Sequence, residues 1–380
     1  MKIGIMCYPT FGGSGVVATE LGKALAEKGH SVHFITYSQP VRLEHFQENI
    51  YYHEVTVADY PLFEFAPYES ALTSKLVDVA RFENLDLVHV HYAIPHASVA
   101  YMAKQILAER GVRLPFITTL HGTDITLVGK NESYSPVVTF GINHSDAVTS
   151  VSSSLRNDTY LNFDINREIE VIPNFIDLSR FSRLKKEHFR RAIAPNNEKI
   201  IIHASNFRPV KRVSDVISVF NRIRERIPAK LLMIGDGPDR GKVEKESREC
   251  IAGENIRFIG KLDAVEEILS VGDLFILPSE SESFGLAALE AMACQVPVIS
   301  SNTGGIPELN IHGTTGYMSE VGDVEDMANN ALRILSDENV LQTFKRNALE
   351  QARRFDIKQI LPMYEDLYRR VAEGQTVQRS

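Results

Sequence analysis

Glu282 and Glu290 flank Gly285 in the string Glu280-Ser281-Glu282-Ser283-Phe284-Gly285-Leu286-Ala287-Ala288-Leu289-Glu290-Ala291-Met292-Ala293. An apolar run just ahead of it, 273–277, reads as a strand, and Leu286, Leu289 and Ala293 share one face of a helix opening at Gly285. The first N–H groups of a helix lack carbonyl partners, so a helix start after a polar loop is an anion site suited to a diphosphate. Spacing alone leaves open whether the two glutamates act there or are solvated helix-end acids. A second string, Ser205-Asn206-Phe207-Arg208-Pro209-Val210-Lys211-Arg212, follows the apolar run 199–205 and packs three cations into five residues. In a chain of net charge −8, such a local knot is what a bound anion would need, because Arg and Lys can neutralise a leaving phosphate. Gly235-Asp236-Gly237-Pro238 closes a further strand, and turn geometry accounts for it.

The first half of the chain carries quieter signals. Phe11-Gly12-Gly13-Ser14-Gly15 joins a strand at 2–7 to a helix at 15–28, and its glycines let the backbone approach a ligand closely. His89-Val90-His91-Tyr92-Ala93-Ile94-Pro95-His96 ends another strand, and Thr118-Thr119-Leu120-His121-Gly122-Thr123-Asp124 ends the next. His89 and His91 share one strand face. A zinc site is conceivable there, but no Cys or carboxylate stands at a recognisable ligand spacing, so hydrogen-bonded loop histidines are the better reading. No metal site is expected.

These strings need elements to hold them, and the chain alternates short β-rich runs with helical periods, the pattern of an α/β fold with parallel sheets. Strands are expected at 2–7, 31–36, 51–57, 86–90, 115–119, 147–151 and 168–171, with helices at 15–28, 70–82, 96–109 and 153–162. After a turn at 172–177 and a basic segment at 180–191, read as a linker, a second series begins at 199–205. It runs through a helix from 213, strands at 230–234, 255–259, 273–277 and 296–300, and helices near 265–271, at 285–294 and from 323 onward. The expected domains are 1–172 and 173–356, with the helix at 357–373 packing back on the first. Two doubly wound halves would place a ligand cleft between them, at the carboxyl ends of the strands.

Composition sets the outer limits. The chain has 380 residues, room for two domains, and 44% hydrophobic residues to fill their cores. Its negative charge offers no overall field for nucleic acid. Three widely spaced cysteines, with no CxxC, suggest free thiols in a reducing compartment. No signal layout or membrane-length apolar run is present, so a cytoplasmic protein is expected. Nothing here sets the oligomeric state, and a homo-oligomer stays open.

The arrangement of Glu282 and Glu290 resembles the Glu-x7-Glu motif of retaining glycosyltransferases of family 4, with the GT-B fold. The resemblance spans essentially the whole chain. It implies two Rossmann-like domains, an acceptor-side first domain and a nucleotide-sugar-binding second one. It also implies that Glu282 holds the donor sugar's hydroxyls, Glu290 the nucleotide ribose, and Lys211 the diphosphate. Asn206 falls where many relatives carry an arginine, which leaves Arg208 as the substitute. The resemblance further places Gly12, Gly13, Asn206, Phe284, Gly285 and Leu286 beside the donor, and His121 beside its primary hydroxyl. Lys211, Arg208, Glu282 and His121 are the expected catalytic set. The strings at 89–96 and 205–212 resemble the branch that transfers N-acetylglucosamine from UDP-GlcNAc to L-malate in bacillithiol biosynthesis, with Ser14, Tyr92, Thr119 and Tyr134 as acceptor contacts. No Asp-x-Asp string is present, and no cofactor or metal is expected, because the cationic clamp makes one unnecessary. A lipid, phosphoinositol or polysaccharide acceptor is one alternative; a non-catalytic nucleotide-sugar-binding protein is another, which loss of Glu282 or Lys211 would favour. Both residues are present.

Overall fold

A computed structural model describes every residue except 11, 44, 45, 58–60, 62, 63, 185, 251 and 376–380. The chain divides into two units, Met1–Asn174 with Ile357–Ser380, and Phe175–Asp356. Each is built on a parallel sheet with helices between its strands.

The first unit holds β1 (Lys2–Met6), β2 (Ser31–Thr36), β3 (Ile50–Glu54), β4 (Leu87–His91), β5 (Phe116–Leu120), β6 (Ala147–Ser150) and β7 (Ile169–Val171). They lie in the order β3-β2-β1-β4-β5-β6-β7, every pairing parallel. The order reverses between β1 and β4, and in such sheets a ligand crevice opens at the carboxyl ends of the strands on either side of that reversal. The loops placed there begin at Cys7 and Tyr92. β4 and β5 are buried along their whole length, as strands covered on both faces are, and two histidines and two threonines are buried there with the apolar residues. The last helix, Ile357–Ala372, belongs to this unit. Its Ile360, Leu361, Tyr364, Leu367, Tyr368 and Val371 recur at helical spacing and are buried. Arg113 donates to the carbonyl of Ala372 at 2.7 Å, satisfying one of the free carbonyls at the helix end.

The second unit holds β8 (Lys199–Ser205), β9 (Ala229–Gly235), β10 (Ile256–Gly260), β11 (Leu274–Leu277), β12 (Val298–Ser301) and β13 (Gly316–Ser319), in the order β10-β9-β8-β11-β12-β13. Its reversal falls between β8 and β11, so the strings at 206–212 and 278–285 are delivered side by side. Helix Val213–Arg224 packs Val213, Val216, Ile217, Phe220 and Ile223 into the core beneath them.

The structure departs from the sequence reading in several places. β3 ends at Glu54, short of 57, and β13 and helices Ser135–His144, Glu187–Ile193 and Arg240–Glu249 were not foreseen. The basic segment read as a linker is tied into the second unit. Arg180 pairs with Glu266 at 3.2 Å, Lys186 with Glu267 at 2.7 Å, and Arg190 with the buried Asp273 at 2.8 Å. Its charge marks partners distant in sequence rather than exposure to solvent.

Candidate functional site

In the second unit the site begins where β8 ends. Phe207 is fully buried and takes a φ of 37°, which turns the chain so that Asn206 and Arg208 are exposed on either side of it. A short turn, Pro209–Lys211, follows, and Arg212 at φ 49° opens the next helix. The turn after β9 is wedged against this loop. A Cβ on Gly235 would lie 1.8 Å from the carbonyl oxygen of Ser205, and one on Gly237 would lie 2.0 Å from that of Asn206. No residue with a side chain fits there, so these glycines are required by close backbone approach.

The loop after β11 arrives alongside. Glu280 N–H donates to the Val210 carbonyl at 2.8 Å, and Lys211 Nζ lies 2.5 Å from Glu282 Oε1. Ser279 Oγ donates to the same carboxylate oxygen at 2.9 Å. The Glu282 carbonyl accepts from Gly305 N–H at 2.8 Å, and Gly304, at φ 56°, leaves that oxygen room. Gly285, at φ 92°, then turns the chain into helix Leu286–Ala293, whose leading N–H groups have no carbonyl within the helix. Leu286 is half-buried and Glu290 buried in that helix. The Phe284 side chain is buried against Phe355, so only its backbone is left to meet a ligand.

The three cations of this loop have different fates. Arg212 is paired with Asp215 at 2.6 Å, Lys211 with Glu282, and Arg208 has no ion pair among the described residues. His203 donates from Nδ1 to the Ile276 carbonyl at 2.9 Å, which leaves Nε2 to accept from Ser205 Oγ at 2.8 Å. Burial pushes it down to about 4, so it is neutral near pH 7.

In the first unit, the helix Gly13–Glu27 starts at the glycine loop, of which Phe11 lies outside the described residues. A Cβ on Gly15 would meet the carbonyl oxygens of Tyr8 and Thr10 at 2.5 Å, so the loop folds directly over the helix start. Gly12 is half-buried and Gly13 exposed at that start. Ser14 Oγ donates to Tyr92 Oη at 2.9 Å. Tyr92 has φ 87° and ψ 136°, a conformation that a residue with a side chain rarely adopts and that costs about 1–3 kcal/mol. Its surroundings hold it there: its N–H donates to the Thr119 carbonyl at 2.9 Å, and the next N–H, of Ala93, donates to Asp124 Oδ2 at 2.9 Å. Asp124 also accepts from Gly122 N–H at 2.9 Å.

Around Tyr92 lies a run of histidines, of which His89, His91 and His96 are buried and His121 is half-buried. His91 Nδ1 and His121 Nε2 are 2.8 Å apart, and His96 Nδ1 donates to the His91 carbonyl at 2.6 Å. His89 bonds Tyr368 Oη at 2.7 Å through Nδ1 and Thr119 Oγ1 at 2.6 Å through Nε2. Thr119 Oγ1 also bonds Thr149 Oγ1 at 2.6 Å. Thr119 is therefore fully buried with its hydroxyl committed to His89 and Thr149, and what it offers Tyr92 is its carbonyl. Desolvation pushes His89 and His121 down to about 3 and His96 to about 4, and drives His91 well below its usual value. The same desolvation raises Asp124 to about 6. The cluster is uncharged imidazole at neutral pH. Tyr134 stands exposed at the start of helix Ser135–His144.

His89 and His91 are hydrogen-bonded histidines, as expected from the sequence, whereas Asp124 and Tyr368 had no role assigned there. Asp124 carried a local signal, an Asp two residues after a glycine that could bond loop N–H groups. Tyr368 carried none.

Two family profiles match the chain: "Glycosyltransferase Family 4" over residues 11–180 and "Glycosyl transferases group 1" over residues 185–351. The chain belongs to the glycosyltransferases of family 4, with the GT-B fold of two Rossmann-like domains. It is 48% identical to the N-acetyl-alpha-D-glucosaminyl L-malate synthase of Bacillus anthracis, over 97% of this chain and 96% of that one. Among solved structures, HepE of Anabaena in complex with UDP and glucose superposes with a TM-score of 0.82 at 20% identity, covering 97% of this chain and 99% of that one. Sucrose-phosphate synthase of Thermosynechococcus elongatus gives 0.80 at 21% identity, over 98% and 100%. At these identities the two structures speak to the fold alone. Among the described residues no helix is long and apolar enough to cross a membrane.

Proposed function

We propose that the chain transfers N-acetylglucosamine from UDP-GlcNAc to the hydroxyl of L-malate with retention at the anomeric carbon. The donor half of this reading is carried by one observation: Lys211 and Glu282 meet at 2.5 Å just ahead of the helix start at Gly285. Each charge holds the other until the donor arrives. Lys211 then turns to the diphosphate, Glu282 to the sugar hydroxyls, and Arg208 and the leading N–H groups at Gly285 and Leu286 share the phosphate charge. Glu290 takes the ribose, Asn206 and the Phe284 backbone border the nucleotide sugar, and the N–H groups at Gly12 and Gly13 approach its diphosphate. The neutral His121 meets the sugar's primary hydroxyl.

The acceptor rests on likeness along the whole chain to the Bacillus anthracis enzyme, whose name specifies L-malate. Ser14, Tyr92 and Tyr134 are assigned to the acceptor, and Thr119 holds Tyr92 in place from beneath. In the reaction the bond from the anomeric carbon to phosphate breaks and its electron pair leaves with UDP. The malate hydroxyl bonds the same face of that carbon, and its proton passes to the departing phosphate oxygen. Fixed positive charge supplies the stabilisation, and no metal is assigned a part.

The test is UDP release from UDP-GlcNAc against a panel of L-malate, other hydroxy acids, phosphoinositol and lipid acceptors. Release that depends on L-malate, with GlcNAc-malate as product, is expected. Release driven by another acceptor and not by malate would overturn the assignment.

A further inference from the structure

Three residues that the transfer reaction does not use converge in the first unit. His33 on β2, His53 on β3 and Glu83, the last residue of helix Tyr68–Glu83, offer ligand atoms that all lie within 4.8 Å of one another. The parallel register pairs His33 with Tyr51 and Ile35 with His53, so the two imidazoles stand diagonally on one sheet face. His33 Nδ1 lies 3.0 Å from His53 Nε2. The rings stack at 5.3 Å between centroids, and Tyr51 stacks on the other neighbour of the pair, His33, at 4.7 Å. Desolvation holds both imidazoles neutral at pH 7, the form that binds metals. Of the nearby charges, Glu83 favours a cation here while Lys2 and Lys75 oppose one. Lys2 Nζ is engaged by the Glu83 carbonyl at 2.7 Å.

We propose that His33, His53 and Glu83 hold one divalent transition-metal ion of the zinc class, in a structural role. Bonds of about 2.0–2.1 Å in a tetrahedron need ligand atoms roughly 3.3 Å apart, so the imidazole pair opens by only a few tenths of an ångström. The Glu83 carboxylate, half-buried at a helix end, swings inward, and water completes the set. Two imidazoles and one carboxylate suit zinc, cobalt or nickel rather than magnesium or calcium. The strand such an ion would secure has little else to hold it. β3 lies at the sheet edge and has no buried residue, and among the described residues β2 is the one strand it pairs with. The ion would tie β3, β2 and the helix end together. Glu83 lies beside Lys2 at the start of β1, whereas Gly12, Gly13, Ser14 and Tyr92 follow the far ends of β1 and β4, so occupancy should leave turnover alone.

The experiment uses the full, tag-free chain, stripped with EDTA and titrated with ZnCl2 by calorimetry, with Co²⁺ absorption as a second probe. Expected are one equivalent bound, a Co²⁺ spectrum of tetrahedral type, and a rise in Tm on zinc addition. His53→Gln and Glu83→Gln should each weaken binding by at least about 10- to 100-fold, the scale of losing a mere outer-shell partner and so the floor for losing a ligand. Both residues are half-buried, and the metal-free Tm of each variant, matching the metal-free wild type, would show that the fold survives. Zinc affinity unchanged in the His53→Gln, Glu83→Gln double variant, or no rise in Tm at one equivalent, would overturn the proposal. The contact would then be an imidazole hydrogen bond and nothing more.

Discussion

The two units share a sheet plan and solve opposite problems at their strand ends. In the second, β8 and β11 deliver charge: a lysine against a glutamate, an arginine with no ion pair among the described residues, and the partial charge of a helix start. In the first, β4 and β5 deliver neutrality, with three buried histidines and a half-buried fourth, His121, stripped of charge and linked to each other, to hydroxyls and to carbonyls. Fixed charge suits the side that must absorb a developing diphosphate. A neutral, hydrogen-bonded bed suits the side that must hold a strained tyrosine in one pose. Mutations in the second unit should therefore act on the chemical step, and mutations in the first on recognition or stability.

The largest effect should come from Lys211→Ala. Losing one transition-state charge contact costs about 10²-fold or more in kcat, with the L-malate KM unchanged. Near-normal kcat in the folded variant would remove the charged half of the contrast. Tyr92→Phe comes next. Loss of a hydroxyl that bonds a carboxylate, about 1.5–3 kcal/mol, should raise the malate KM roughly 10- to 150-fold. The UDP-GlcNAc KM should stay put; if both rise together, Tyr92 supports the unit generally and does not select the acceptor. Thr119→Val sharpens the same side, because its hydroxyl is already spent on His89 and Thr149. An orphaned buried imidazole should lower stability by about 1–3 kcal/mol in denaturant unfolding, with little change in malate KM. A large KM change without a stability loss would instead put this hydroxyl on the acceptor. Smallest of all is the response to EDTA, which should leave turnover intact because the clamp is made of side chains. Activity lost to EDTA and restored by Mg²⁺, Mn²⁺ or Zn²⁺ would mean that protein charge does not carry the leaving group alone.

The contrast also explains what could be read in advance. Charge and glycine announce themselves in short strings, so Arg208, Lys211, Glu282 and Gly285 stood out before any fold was known. Lys211 and Glu282 are 71 positions apart, yet the adjacency of β8 and β11 made their meeting a consequence of doubly wound order. The first unit was harder. His89 is bonded to Tyr368, 279 positions away, and no local pattern encodes such a pair. The same blindness turned 180–191 into a linker, since the acids that hold its cations lie 81 or more positions downstream. β13 went unseen for a different reason: Gly-Tyr-Met-Ser is four residues with one fully apolar side chain, too short to show a period.

The return of helix Ile357–Ala372 to the first unit has a consequence for the order in which the protein can be made. A ribosome releases residues 1–174 first, yet that unit lacks its last helix until the entire second unit has emerged. Until then His89 has neither the Tyr368 hydroxyl nor the Tyr364 ring beside it. The second unit has no such wait. Its two ends, Ile176 and Asp356, lie together in a short parallel bridge, with Ile176 N–H donating to the Phe355 carbonyl at 2.9 Å. It can close as a unit as soon as its own chain is out. The half synthesised first is thus the half completed last, and a chain truncated after Asp356 and freed from the ribosome should carry a finished second unit behind an unfinished first.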